Sequence, residues 1–235
     1  MSVDGDRPAV DWLALLRAHT HRFADVVDGA DLGMRLRWCP DWSLRDFVVH
    51  LGDVHRWAAH AVVAGDPDLR PERVDLHGAD LVAWYRDRAA ALVDVLTATP
   101  VGAPAWTLDE RDRTAGSWRR RQVHETAMHT WDAADALGTP HAMDPELAWD
   151  GVLEVAHVLH PRQVRLGRTG PLARPLRLAA TDVRAEVLLG AGDGRGEPVL
   201  VEDRAEVLLR LLWHRADVRS RDPRAAAVLA GALTP

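Results

Sequence analysis

The sequence holds a single cysteine, Cys39, which rules out an internal disulfide and any zinc site built from cysteines. Cys39 lies in the stretch Trp38-Cys39-Pro40-Asp41-Trp42 ahead of a helix and reads as a packing thiol. Any thiol chemistry here would therefore draw its sulfur from outside the chain. Lysine is absent, and all 29 basic residues are arginine, so an anion bound by this protein is bound by guanidinium groups. No apolar run approaches the roughly 20 residues needed to cross a bilayer. The opening MSVDGDRPAV is acidic and lacks the charged-then-apolar order of a signal segment, which predicts a cytoplasmic protein without a membrane partner. The net charge is −6 and the basic residues are scattered, which argues against nucleic-acid binding. The one local run, Arg119-Arg120-Arg121, reads as a solvated helix face rather than an anion clamp.

What is present is an ordinary globular balance, 47% apolar and 27% charged, over 235 residues, enough for one large domain or two small ones. The first 160 or so residues read as helices. From about Pro8 to Asp28, Trp12, Leu15, Leu16, His19, Phe23, Val26 and Val27 recur at helical spacing. A second helix is predicted to begin near Ser43, which forms a capping pair with Asp46. A third runs from about Ala79 to Ala98, and a fourth from about Ser117 to Leu137, closed by Gly138 and Pro140. Four amphipathic helices of this length predict a four-helix bundle. Asp144-Pro145-Glu146 starts a fifth helix, expected to stop by Pro161. Short strand-like runs follow at 175–181, 184–189 and 198–201, then helical spacing returns from Val207 and from Pro223. The predicted organisation is mainly α: a helical bundle over residues 1–165 and a small α/β domain over 170–235. Gly190 to Gly196 could suggest a phosphate loop, but no Gly-Lys-Ser follows, and a hairpin turn between two strands is the expectation.

Three residues carry the chemistry. Glu125 and His129 stand four apart on the fourth helix, about 40° from each other around its axis and one turn apart, so they can grip one ion. His124 with His129 makes HExxxH, not the HExxH of zincins, and sets the two imidazoles about 140° apart. Glu125, not His124, is thus the partner of His129. His50 lies on the second helix between Phe47 and Val54 and is placed to point into the bundle. Two imidazoles and a carboxylate leave an open coordination position, as catalytic sites do. Zinc suits these donors best, with iron, nickel and manganese also compatible. A buried His on one helix bonded to a Glu on another is the common alternative, and spacing alone leaves both readings standing. Asp132, one turn past His129, could orient an imidazole or simply be a polar residue near the helix end.

The stretch from Trp42 to Trp57, with a tryptophan ahead of His50, resembles the second helix of DinB-like bundles. Residues 105–108, then Arg120 to Asp132, then Asp144 to Glu154 are similar to the mycothiol-dependent maleylpyruvate isomerase family, and Arg204 to Arg215 resembles the helix of its small C-terminal α/β domain. The resemblance implies a DinB-like four-helix bundle followed by that domain, with zinc held by His50, Glu125 and His129. It also implies mycothiol as a small-molecule thiol whose pKa the metal lowers. In the isomerase the thiolate adds to a cis double bond, the resulting single bond rotates, and elimination gives the trans product. A relative would turn the same thiolate on another small, possibly anionic, electrophile as an S-transferase. The family's C-terminal arginine, which holds substrate carboxylates, falls on Arg215 by pattern; a surface salt bridge is the other reading. Two further functions stand as alternatives: a non-catalytic metal-site bundle binding a small molecule or protein, and a metal-hydroxide hydrolase. The expected state is monomer or homodimer.

Overall fold

The computed structural model describes residues 10–190, 196–219 and 221–235. The chain divides into two compact units, Met1–Thr107 with Asp112–Pro140, and Leu108–Arg111 with His141–Pro235.

The first unit contains α1 (Trp12–Val27), α2 (Leu44–Ala64), α3 (Gly78–Ala98) and α4 (Ala115–Ala136), which pack against one another as a bundle. The predicted start of the first helix at Pro8 lies outside the described residues; its described part begins after Asp11, whose side chain accepts from the Ala14 N–H. Ser43 and Asp46 form the expected capping box: Ser43 Oγ accepts from the Asp46 N–H, and the Asp46 carboxylate accepts from the Ser43 N–H. That box fixes where α2 begins. Phe23, Val27, Leu44, Val48, Leu51, Leu81 and Tyr85 are buried together in the core of this unit. Burying each such side chain contributes on the order of 2 kcal/mol before entropy is counted. α4 differs from its neighbours. Every residue from Arg121 to Ala134 is buried, although that run includes Gln122, His124, Glu125, Thr126, His129, Thr130 and Asp132. An entirely buried polar helix requires internal partners for each of those groups.

The second unit contains α5 (Pro145–Glu154), a π-helical turn (Val155–Leu159), α6 (His160–Arg165), β1 (Leu176–Ala180), β2 (Ala185–Leu189), β3 (Val199–Asp203), α7 (Ala205–Leu212) and α8 (Pro223–Leu229). The helix expected to stop by Pro161 runs through it. Proline has no N–H to donate and crowds the carbonyl four residues back, here that of His157. The π turn widens the ladder at this point, with the His160 N–H reaching Val155, and the His157 carbonyl accepts instead from Arg111 Nη2 at 2.6 Å. Segment 108–111 is thereby tied to this unit. α5, read with the bundle from sequence, packs against α7.

The sheet order is β2-β1-β3, with β1 antiparallel to β2 and parallel to β3. A hairpin between β2 and β3 is therefore overturned: the two lie on opposite edges of β1, and residues 191–195 of the expected turn are outside the described ones. The hairpin is β1–β2, and its tight turn sets Arg184 at φ 54°. Among the described residues no helix is long and apolar enough to cross a membrane.

α2 and α3 approach closely at Gly52, where a Cβ would meet the Trp84 ring at 2.3 Å. Gly52→Ala is expected to destabilise the protein by about 1–3 kcal/mol through overpacking. Thermal unfolding reads this directly, and an unchanged midpoint would mean the helices can separate at no cost.

Candidate metal centre

The packing of α2 on α4 brings His50, Glu125 and His129 together, with one donor atom from each lying within 4.8 Å of the others. His50 Nε2 is 3.6 Å and His129 Nε2 is 3.2 Å from the same oxygen, Glu125 Oε1. A tetrahedral ion with bonds near 2.0–2.1 Å has ligand–ligand edges of about 3.3 Å. Two of the donor–donor distances match such edges, and the set of two imidazoles and a carboxylate fits a divalent ion. Glu125 and His129 are buried, whereas the His50 side chain keeps 36% of its exposure and forms the open side of the group. Phe47 and Trp42 wall it: the Phe47 ring is edge-on to His129 at 4.8 Å and the Trp42 ring edge-on to His50 at 5.3 Å between centroids. A cavity of about 750 Å³ in the same unit is lined in part by His50, Trp42 and Trp57.

Two of the three donors are held from behind. Asp132 Oδ2 lies 3.2 Å from His129 Nδ1, one turn along α4, which leaves Nε2 turned toward Glu125. Asp132 therefore contacts the imidazole, as an orienting group would. Arg121 Nη2 donates to the other carboxylate oxygen, Glu125 Oε2, so the two oxygens face different partners. His55, fully buried on α2, is 3.2 Å from the Thr126 hydroxyl on α4 and ties the two helices beside the site.

The electrostatics follow from burial. Desolvation alone would raise the Glu125 pKa, but Arg121 and His129 outweigh it and hold the carboxyl well below its usual range. Desolvation would lower His129, but Glu125 and Asp132 outweigh it and hold the imidazole at about 9. Without an ion, the pair is a buried carboxylate–imidazolium. At His55 desolvation outweighs the opposing pull of the Glu125 charge and pushes the imidazole down to about 3.

The other expected residues fall as follows. His124 is buried on a different face of α4, its ring 5.7 Å from that of Trp12 on α1. Arg215 belongs to the second unit, following α7, where its Nη1 donates to the Trp213 carbonyl at 2.7 Å. Cys39 is half-buried. The reading of Arg119 to Arg121 as a solvated face is overturned. Arg119 donates to the Leu96 and Thr99 carbonyls, and Arg121 is buried against Glu125. The signal was available: Arg121 and Glu125 stand four apart, the same spacing that picked out His129.

The His55 shift has a definite sign. Above the ordinary imidazole pKa of about 6.5, folded and unfolded chains both carry His55 neutral, and the group is indifferent to pH. Below it the unfolded chain takes a proton that the folded one refuses until about pH 3. Acidification between those values should therefore cost about 1 kcal/mol per pH unit at this residue. Urea unfolding in chelator, at pH 6.5 and 4.5, should give a shallower pH dependence for His55→Leu than for the wild type. Parallel profiles would mean the folded state protonates His55 freely.

A family model for the mycothiol maleylpyruvate isomerase N-terminal domain matches residues 13–134. Two uncharacterized proteins of Mycobacterium tuberculosis, from strains CDC 1551 / Oshkosh and H37Rv, are each 27% identical over 129 residues, covering 53% of this chain. The chain spans 65% of the length of those relatives. Among solved structures, a mycothiol-dependent maleylpyruvate isomerase superposes with a TM-score of 0.64 at 16% identity, over 92% of this chain and 93% of that one. A histidine-to-alanine variant of a mycothiol-dependent maleylpyruvate isomerase gives 0.61 at 16% identity, over 90% and 91%. At that identity the likeness speaks to the fold: a helical bundle with a small α/β part. The match across α1 to α4 covers more than half of the chain, and the protein belongs to the mycothiol maleylpyruvate isomerase N-terminal domain family.

Proposed function

We propose that this protein is a cytoplasmic, metal-dependent enzyme that uses mycothiol to isomerise or S-alkylate a small electrophile, with His50, Glu125 and His129 holding the ion and zinc the favoured metal. The observation that carries the reading is the convergence of His50 Nε2 and His129 Nε2 on Glu125 Oε1 at tetrahedral-edge distances, on a half-open side of an otherwise buried group. A bound divalent ion would supply a Lewis acid that lowers the pKa of a thiol and so raises its thiolate fraction at neutral pH. The protein's own residues do the rest. Asp132 accepts the His129 Nδ1 proton and so leaves Nε2, on the Glu125 side, as the atom that would hold an ion. Arg121 occupies Glu125 Oε2 and leaves Oε1 to the ion. Phe47 and Trp42 restrict water around the imidazoles, which strengthens every charge interaction there. Cys39 takes no part. Arg215 is assigned, within this proposal, to the carboxylate of an anionic electrophile. The two units are proposed to be separate domains, the bundle bearing the metal and the α/β unit the arginine.

Elemental analysis of purified protein is expected to give about one divalent ion per chain. That ion should be lost in His129→Ala and kept in His124→Ala, since the latter faces Trp12 and not the donors. Loss in His124→Ala with retention in His129→Ala would reverse the ligand assignment.

The thiol requirement has its own test. Turnover of a generic electrophile should persist in Cys39→Ser, disappear without added low-molecular-weight thiol, and be far faster with mycothiol than with glutathione. Full activity in thiol-free buffer would sink the proposal in favour of a metal-hydroxide hydrolase. No turnover under any condition would favour a binding module.

A further inference from the structure

The middle of the bundle holds a polar layer that takes no part in the candidate metal centre. α2 supplies His55, α3 supplies Tyr85 and α4 supplies Thr126, each with no exposed surface, and the Tyr85 ring lies 4.7 Å from that of Phe23 on α1. His55 and Tyr85 stand side by side, with 5.5 Å between ring centroids and a tilt of 41°. Their hydrogen bonds can be followed atom by atom. The Thr126 hydroxyl has one proton and gives it to the Gln122 carbonyl at 2.6 Å. Toward His55 Nε2, 3.2 Å away, the same oxygen can then only accept, so Nε2 carries the imidazole proton. Burial keeps the ring neutral, which makes Nδ1 a bare acceptor. Among the described residues, nothing donates to His55 Nδ1 and nothing pairs with the Tyr85 hydroxyl.

Two polar atoms of adjoining rings, both fully buried and both without a protein partner, depart from the rule that buried polar groups are bonded. Their chemistry selects what can satisfy them. The occupant must donate to Nδ1 and accept from a phenol, and it must fit inside a core enclosed by four helices. An apolar molecule offers neither bond, and one imidazole nitrogen with a neutral phenol is too small a ligand set for a metal. We propose that the bundle binds an internal water between His55 Nδ1 and the Tyr85 hydroxyl, giving a proton to the first and taking one from the second. With Nδ1 engaged, the ring keeps the tautomer whose Nε2–H reaches Thr126, the residue next to Glu125. The water thereby brings α3, which supplies none of the three candidate donors, into the hydrogen-bond chain behind the turn of α4 that carries the carboxylate.

Tyr85→Phe tests this by the sign of its effect, because it deletes only the hydroxyl. Where that hydroxyl holds a water, its loss should lower the thermal midpoint by about 2–4 °C. A dry hydroxyl is a buried group without a bond, and removing it should leave the midpoint unchanged or raise it. NMR on the wild type gives a second reading that needs no variant to fold. The Tyr85 hydroxyl proton should show a cross-peak to a long-lived water, and His55 should appear as the Nε2–H tautomer with a hydrogen-bonded Nδ1. An unchanged or raised midpoint in folded Tyr85→Phe, a hydroxyl proton with no water contact, or a His55 proton on Nδ1 overturns the proposal.

Discussion

A carboxylate with no water around it must be neutralised by protein groups or by an ion, and in this molecule that carboxylate is Glu125. It sits in the middle of α4, a helix buried on all sides from Arg121 to Ala134. The cost of desolvating a charge in such a place is several kcal/mol, recovered only when both oxygens are well partnered. Arg121 takes Oε2, and His129 and His50 converge on Oε1. The partners come from one turn before Glu125, one turn after it, and a second helix. The carboxylate thus dictates both the face of α4 and the helix that must pack there.

The placement of α2 follows from that need. Its start is fixed by the Ser43–Asp46 box, which sets the rotation of the helix and so delivers His50, two turns later, to the α4 side. His55, a turn and a half beyond, locks the same two helices through Thr126. On the α3 side, Gly52 allows the Trp84 ring to lie against the α2 backbone. Asp46 serves two ends, since the oxygen that caps the helix leaves its other oxygen to the cavity. Cap, candidate donor and cavity wall are thereby consequences of one short stretch of sequence.

Much of this was legible before any coordinates. Ser43 with Asp46 announces a helix start through local hydrogen bonding alone, and Gly138, at φ 72°, announces the end of α4 because a left-handed residue is needed there. The pairing of Glu125 with His129, and the rejection of His124, needed only the helical repeat. The features that stayed hidden depend on residues distant in sequence. The run Arg119 to Arg121 looks like a solvated face until the carbonyls of Leu96 and Thr99 and the buried Glu125 are set beside it. Pro161 looks like a helix stop because the rule assumes an unsatisfied carbonyl behind it; Arg111, 46 residues from His157, removes that assumption. The strands 185–189 and 199–203 look like neighbours because they are consecutive, yet both pair with β1, a central strand whose Leu176 and Leu178 are buried.

The same residues that would hold an ion also make a self-sufficient group without one, and this shapes how the centre works. With no ion, His129 keeps a proton to about pH 9, and the imidazolium itself neutralises Glu125. An ion held by the triplet would take the place of that proton, because Nε2 cannot hold both. Arg121 on Oε2 holds the carboxylate with Oε1 toward the two imidazoles. The half-exposed side of His50, next to the carboxylate-lined cavity, is the open direction of the group. The buried charges on α4 therefore serve folding by themselves: they neutralise one another inside the bundle, and the same arrangement is the one that would present three donors to an ion.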